Sequence, residues 1–282
     1  MNRILIPYDF SELADNALDF ACQIAQKSKA KEILLLNVVE HPSESKMKTM
    51  GATKMDPMEN VYFTKLVQLV EDKLKTKISN IDYSGINIEY KIQLGNPYNT
   101  LAAEVSEEEV DMVVMGTTGA EGLEEFFIGS NAERVVRTAK APVITLKEKV
   151  RLSSFKNIVF ASNFVDIKPK FVQKLKELQY LFDGNLKLVK INTPANFTTT
   201  RHDLEQMNEF VKSNNIRNYE IDIYNYTNEE DGIVYYAEDS NADIIALGTH
   251  QRKGFNHFLT GSIAEDVVNH SKNPVWTLNL DF

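Results

Sequence analysis

The chain has 282 residues, 43% hydrophobic and 25% charged, and its 31 Lys and Arg against 40 Asp and Glu give a formal net charge of −9. That length suits about two domains with cores of their own, while the lack of any eighteen-residue apolar run and the direct entry from Asn2-Arg3 into a strand-like segment argue against a membrane span and a secretory signal. One cysteine, Cys22, excludes an intrachain disulfide and a Cys-based zinc site and fits a reducing cytoplasm, and a pI near 5.2 argues against a general nucleic-acid binder.

In chain order, Ile4 to Ile6 reads as a first strand. Ser11 is placed to cap a helix whose Ala14, Ala17, Leu18, Ala21, Ile24 and Ala25 recur at helical spacing. Ile33 to Val39 is a second strand. After a polar stretch, Val61, Leu66, Leu69, Val70, Leu74 and Ile78 mark a second helix. Ile86 to Leu94 is a third strand, and Pro97 suits the first turn of a third helix running to about Glu109. Met112 to Met115, a helix from Ser130, and Val143 to Leu146 complete the series. Alternating helices and continuously apolar strands predict a parallel sheet covered on both faces. In such a sheet, ligands bind beyond the carboxyl ends of the strands, where the strand order reverses.

The series then repeats. Asn2 to Phe10 matches Lys156 to Phe164, Asp111 to Thr117 matches Asp243 to Thr249, Gly129-Ser130 matches Gly261-Ser262, and Pro142 to Leu146 matches Pro274 to Leu278. The offset is 154 between Asp9 and Asn163 but 132 between Gly116 and Gly248, so the first copy carries 22 extra residues, mostly between Glu40 and Asn60. The polar stretch Lys147 to Ser154 reads as the linker between domains at 1–148 and 155–282. The expected fold is therefore α/β: two tandem, doubly wound, five-stranded parallel-sheet domains of Rossmann-like type.

The most informative string is Gly116-Thr-Thr-Gly119, then nine residues, then Gly129-Ser130-Asn131. A glycine at a strand end admits close backbone approach, and the first amides of a helix form an anion site that the Ser130 hydroxyl can complete. The chemistry suits a phosphate; glycines that only shape a turn are the plain alternative. The string is neither a dinucleotide fingerprint nor a P-loop, since no Lys or Arg lies between Gly116 and Asn131.

With Pro7-x-Asp9-x-Ser11 and the closing Pro142-Val143, this spacing resembles the universal stress protein family, and two copies resemble its tandem members. The resemblance implies a sheet like that of the adenine nucleotide α-hydrolases, and ATP binding in the branch that keeps the glycines. Carried across, it puts phosphates on Gly119, Gly129, Ser130 and Asn131 and the ribose on Asp9. Pro7, Tyr8, Val39, Met115 and Gly116 would wall the adenine and ribose. A helix cap is the alternative for Asp9, ordinary core for Val39 and Met115, and a solvent-facing ring for Tyr8. The resemblance also implies a pseudo-dimer through Val143 to Leu146 and Val275 to Leu278, with a homodimer as a secondary expectation.

The first copy departs from the family at Ala120, where an Arg is common, and carries Glu121, Glu124 and Glu125 in the same loop. These carboxylates repel a triphosphate unless they turn outward or Mg2+ intervenes, so ADP and AMP stand beside ATP. In the second copy, Gln251 replaces a glycine and Asn163 the aspartate, although Arg252-Lys253 is present. The first copy is therefore expected to hold the nucleotide and the second to be degenerate. His250 and His257 lack a carboxylate at ligand spacing, so no metal is expected, and no activated nucleophile is evident. The insertion, with Met47, Met50, Met55 and Met58, is a lid, a contact surface or a plain loop. The expected role is a non-catalytic cytoplasmic sensor or regulator of stress that binds an adenine nucleotide. The rivals are an interaction scaffold with vestigial sites and a slow ATPase.

Overall fold

Ser11 caps the first helix as its position suggests, its hydroxyl accepting from Ala14 N at 3.1 Å. The computed structural model describes residues 1–40, 57–83, 85–107, 110–117, 130–249 and 263–280. The first half runs β1 (Arg3–Pro7), α1 (Glu12–Ser28), β2 (Glu32–Val39), α2 (Pro57–Ser79), β3 (Asn87–Leu94), α3 (Pro97–Glu107), β4 (Met112–Gly116), α4 (Ser130–Thr138) and β5 (Val143–Leu146). A 3-10 turn at Leu152–Ser154 leads to β6 (Asn157–Ala161), α5 (Pro169–Phe182), β7 (Asn185–Asn192), α6 (Thr200–Asn214), β8 (Tyr219–Asn225), α7 (Glu229–Asp239), β9 (Ile244–Thr249), α8 (Ile263–His270) and β10 (Val275–Asn279). The expected strands and helices of the first half are all present, with ends shifted by a few residues at most.

All ten strands form one sheet, in the order β3-β2-β1-β4-β5-β10-β9-β6-β7-β8. Each half is parallel within itself, and the halves join where β5 and β10 pair antiparallel, Ile144 opposite Trp276. In the first half the chain steps from β1 outward to β2 and β3, then returns to β4 on the other side of β1. The strand order thus reverses between β1 and β4.

One device starts both halves. Asp111 Oδ2 accepts from the backbone N–H groups of Asn2 and Arg3, and Asp243 Oδ2 accepts from those of Lys156 and Asn157. Each aspartate precedes the fourth strand of its half and anchors the first, so the two central strands are held in register.

The cores are continuous across the halves. Helices α1, α2, α5 and α6 cover one face of the sheet in a single apolar cluster, and α3, α4, α7 and α8 cover the other. The linker and the residue after it are less polar in effect than in composition, because Leu152 and Phe155 are buried. The Phe155 ring lies between Phe20 of α1 and Phe182 of α5, with centroids 5.2 and 4.9 Å away. Gln23 Oε1 accepts from Leu152 N at 2.8 Å, Asn279 Nδ2 donates to Arg137 O at 2.9 Å, and Lys147 Nζ donates to Asn269 O. The connection is thus a packed joint and not a tether. Among the described residues, no helix is long and apolar enough to cross a membrane.

Candidate functional site

A cavity of about 420 Å3 opens at the carboxyl ends of β1 and β4, where the strand order reverses. From β1 and the turn after it come Pro7, Tyr8 and Asp9; from the end of β4 come Met115, Gly116 and Thr117. The opposite wall is built by Leu36, Asn37 and Val38 of β2, Pro97 and Leu101 of α3, and Ala132 of α4.

Asp9 is exposed, and its Oδ1 accepts from Ser11 N at 3.0 Å. This bond closes a turn around Phe10, whose φ of 67° lies in the left-handed region, and Ser11 then caps α1. The carboxylate is therefore not the helix cap; it shapes the turn before the cap with one oxygen and has a second oxygen that this turn does not use. The second half repeats the turn, with Val165 N on Asn163 Oδ1 at 3.1 Å and Phe164 at φ 58°.

Tyr8 is buried and does not face solvent. Its hydroxyl donates to Asp15 Oδ1, its backbone N–H donates to Leu36 O at 2.9 Å, and its carbonyl accepts from Asn37 Nδ2 at 2.7 Å. Burial, and then the bond to Asp15, push the phenol well above its ordinary pKa. Lys77 reaches the same Asp15 oxygen at 2.7 Å. Tyr8 thus forms a fixed wall of the cavity.

Two expected residues sit differently. Val39 belongs to the core on the α1 side of the sheet, and its neighbour Val38 lines the cavity. Successive strand side chains point to opposite faces, so an error of one residue exchanges wall for core. Gly116 is tight for an intramolecular reason: a Cβ there would lie 2.6 Å from Leu13 Cβ and 2.8 Å from the Leu13 carbonyl carbon and oxygen. Its missing side chain lets α1 pack on β4.

Ser130 opens α4 as expected. Gly119, Gly129, the glutamates of that loop and the second-copy residues His250, Gln251, Arg252, Lys253 and His257 lie outside the described residues, as do Met47, Met50, Met55 and the side chains of Ser130 and Asn131. Among the described residues, no group of three or more His, Cys, Asp or Glu could hold a metal ion. Sequence reasoning missed Leu13, Leu36, Asn37, Val38, Leu101, Thr117 and Ala132. Only the spacing from Pro97 to Leu101 on α3 carried a signal.

Comparison with known proteins fits this geometry. The sequence model of the universal stress protein family matches the chain twice, over residues 1–147 and 155–279. A universal stress protein of Methanocaldococcus jannaschii is 28% identical over 155 residues, which is 52% of this chain and 95% of that one. A second from the same organism is 29% identical over 146 residues, 52% of this chain and 82% of that one. Each match covers about half of this chain. The crystal structure of a universal stress protein from Archaeoglobus fulgidus superposes with a TM-score of 0.77 at 23% identity, covering 99% of this chain and 98% of that one, so it shares the two-domain fold.

Proposed function

The chain belongs to the universal stress protein family, and we propose that its first domain binds an adenine nucleotide and acts as a non-catalytic cytoplasmic sensor or regulator in the stress response. The observation that carries this reading is the cavity at the β1/β4 reversal point, which gathers Pro7, Tyr8, Asp9, Met115 and Gly116 from separate parts of the chain. In a doubly wound sheet, that is where a nucleotide lies. The Asp9 oxygen not engaged by Ser11 accepts the ribose hydroxyls. Pro7, Val38 and Met115 wall the base, with Val38 in the place first given to Val39. Gly119, Gly129, Ser130 and Asn131 receive the phosphates. ATP is the first choice, ADP and AMP the next, with Mg2+ as the ion that offsets Glu121, Glu124 and Glu125. Isothermal titration with each nucleotide, with and without Mg2+, tests the reading. Micromolar binding by the wild type that is lost in Gly119→Val supports it, and no binding of any nucleotide overturns it.

A second reading, a scaffold whose sites are vestigial, is favoured by one observation: the packing of Leu13 accounts for Gly116 without any ligand. Denaturing the purified protein and identifying released nucleotide by mass spectrometry separates the two.

A further inference from the structure

The second domain has a cavity at the equivalent place, and it is larger, about 570 Å3. The strand registers and the repeat put Asn163 in place of Asp9, Lys190 in place of Asn37, Glu229 in place of Pro97 and Ile263 in place of Asn131. We propose that this cavity is a functional binding site for an uncharged, largely apolar small molecule bearing a carbonyl-type acceptor, a ligand class different from the phosphate-bearing one assigned to the first domain.

Three observations converge on that class. First, much of the described wall is apolar: Ile167, Ile191, Ile233, Leu247, Ile263 and Leu280 all line the cavity. Ile263 stands where the first copy offers Asn131 for a phosphate. Covering that apolar surface favours an apolar body, and the volume is that of an ordinary small-molecule site.

Second, among the described residues the charges already balance without an anion. Lys190, 8% exposed, pairs at 2.5 Å with Asp203, which is fully buried, and the same oxygen accepts from Thr198 Oγ1 at 2.7 Å. The other Asp203 oxygen is buried with no hydrogen-bond partner. Glu229 adds a second carboxylate to the cavity wall, its Oε1 held by Thr193 and Asn196. An anionic ligand would compete with Asp203 for the ammonium and meet Glu229, at a cost that a neutral ligand avoids.

Third, the unused groups are mostly donors. Two of the three ammonium donors of Lys190 are engaged, by Thr198 and Asp203. Ser162 Oγ accepts from Phe164 N at 3.0 Å, which leaves its proton to give. Asn163 Oδ1 is occupied by Val165 N, which leaves its NH2 group. All three side chains line the cavity. A carbonyl-type acceptor satisfies them without adding charge.

The test is a fluorescence titration of the full chain with Nile red, a neutral apolar dye bearing a carbonyl, beside the anionic dye 1-anilinonaphthalene-8-sulfonate. Saturable, blue-shifted binding of one Nile red per chain is expected, about tenfold or more tighter than the anionic dye. Ile233→Trp fills the cavity and removes binding. Ile263→Asp, at a partly exposed position that accepts a charge, weakens it by about tenfold and guards against misfolding of the first variant. Leu101→Trp, the equivalent change in the first cavity, leaves Nile red binding intact, and millimolar ATP does not displace the dye. Absence of saturable binding, equal affinity for the anionic dye, or loss in Leu101→Trp but not in the second-domain variants overturns the proposal. None of these outcomes depends on whether the first domain binds a nucleotide.

Discussion

Leu13 occupies the space that a side chain on Gly116 would need, with a Cβ at that position only 2.6 Å from Leu13 Cβ and 2.8 Å from its backbone carbonyl. The near atoms belong to the first turn of α1, whose backbone has little room to retreat. Gly116→Ala is therefore expected to destabilise the first domain by about 1–3 kcal/mol, an overpacking cost. Urea denaturation without nucleotide measures it. An unchanged midpoint together with lost nucleotide affinity would show that the glycine serves a ligand and not the α1 contact.

Asp9 separates the two roles of one side chain. Its Oδ1 closes the turn on Ser11 N, and Asn163 makes the same bond to Val165 N, so an amide oxygen suffices for the turn. Asp9→Asn is expected to leave stability within about 0.5 kcal/mol. It removes the charged acceptor offered to the ribose, a loss of about 1.5–3 kcal/mol, or roughly ten- to a hundredfold in affinity. Asp9→Ala should lower both stability and affinity. Paired thermal melts and titrations of the two variants distinguish a ribose partner from a turn residue.

The repeat made the fold legible, because two copies of one strand-helix series constrain each other. Strand ends and helix starts such as Met112 and Ser130 could be read from apolar runs and capping chemistry. Faces were harder. Val38 and Val39 are adjacent apolar residues in a strand buried on both sides, so no alternation of polarity says which meets the cavity. The role of Gly116 depends on a helix more than a hundred residues earlier in the chain, which no local pattern encodes. Leu152 in the linker, and Phe155 just after it, were hidden by the polar residues around them. The turn aspartate Asp9 was visible as a functional candidate, but its bond to Ser11 depends on the left-handed conformation of Phe10.

Phe155 is expected to couple the halves energetically. It is 2% exposed and contacts an aromatic ring from each half, Phe20 and Phe182. Phe155→Ala should cost about 3–5 kcal/mol, the range for a buried aromatic truncation. Trp276, the single tryptophan, pairs with Ile144 across the joint, so its fluorescence reports on the same junction. A lowered urea midpoint seen alike by tryptophan fluorescence and far-UV circular dichroism supports a joint that stabilises both halves. A fluorescence transition that shifts alone would mean that the halves unfold independently.

Lys147 gives the joint a pH dependence of defined sign. It lies just after β5, its ammonium donates to Asn269 O at the end of α8, and burial pulls its pKa from 10.5 down to about 8. Between about pH 8 and 10.5 the unfolded chain keeps a proton on this amine that the folded chain has released. Stability from this residue therefore rises with pH across that window, and the neutral amine still donates to Asn269. Cys22 acts in the opposite direction: burial raises its thiol from 9.0 to about 12, so its contribution falls once pH exceeds the unfolded value. The clean interval is thus pH 7 to 9. There, the stability of the wild type relative to Lys147→Met should increase, measured by urea denaturation at fixed ionic strength. A difference that stays flat, or that declines toward pH 9, would show that the amine is solvated in the folded protein and titrates as an ordinary lysine.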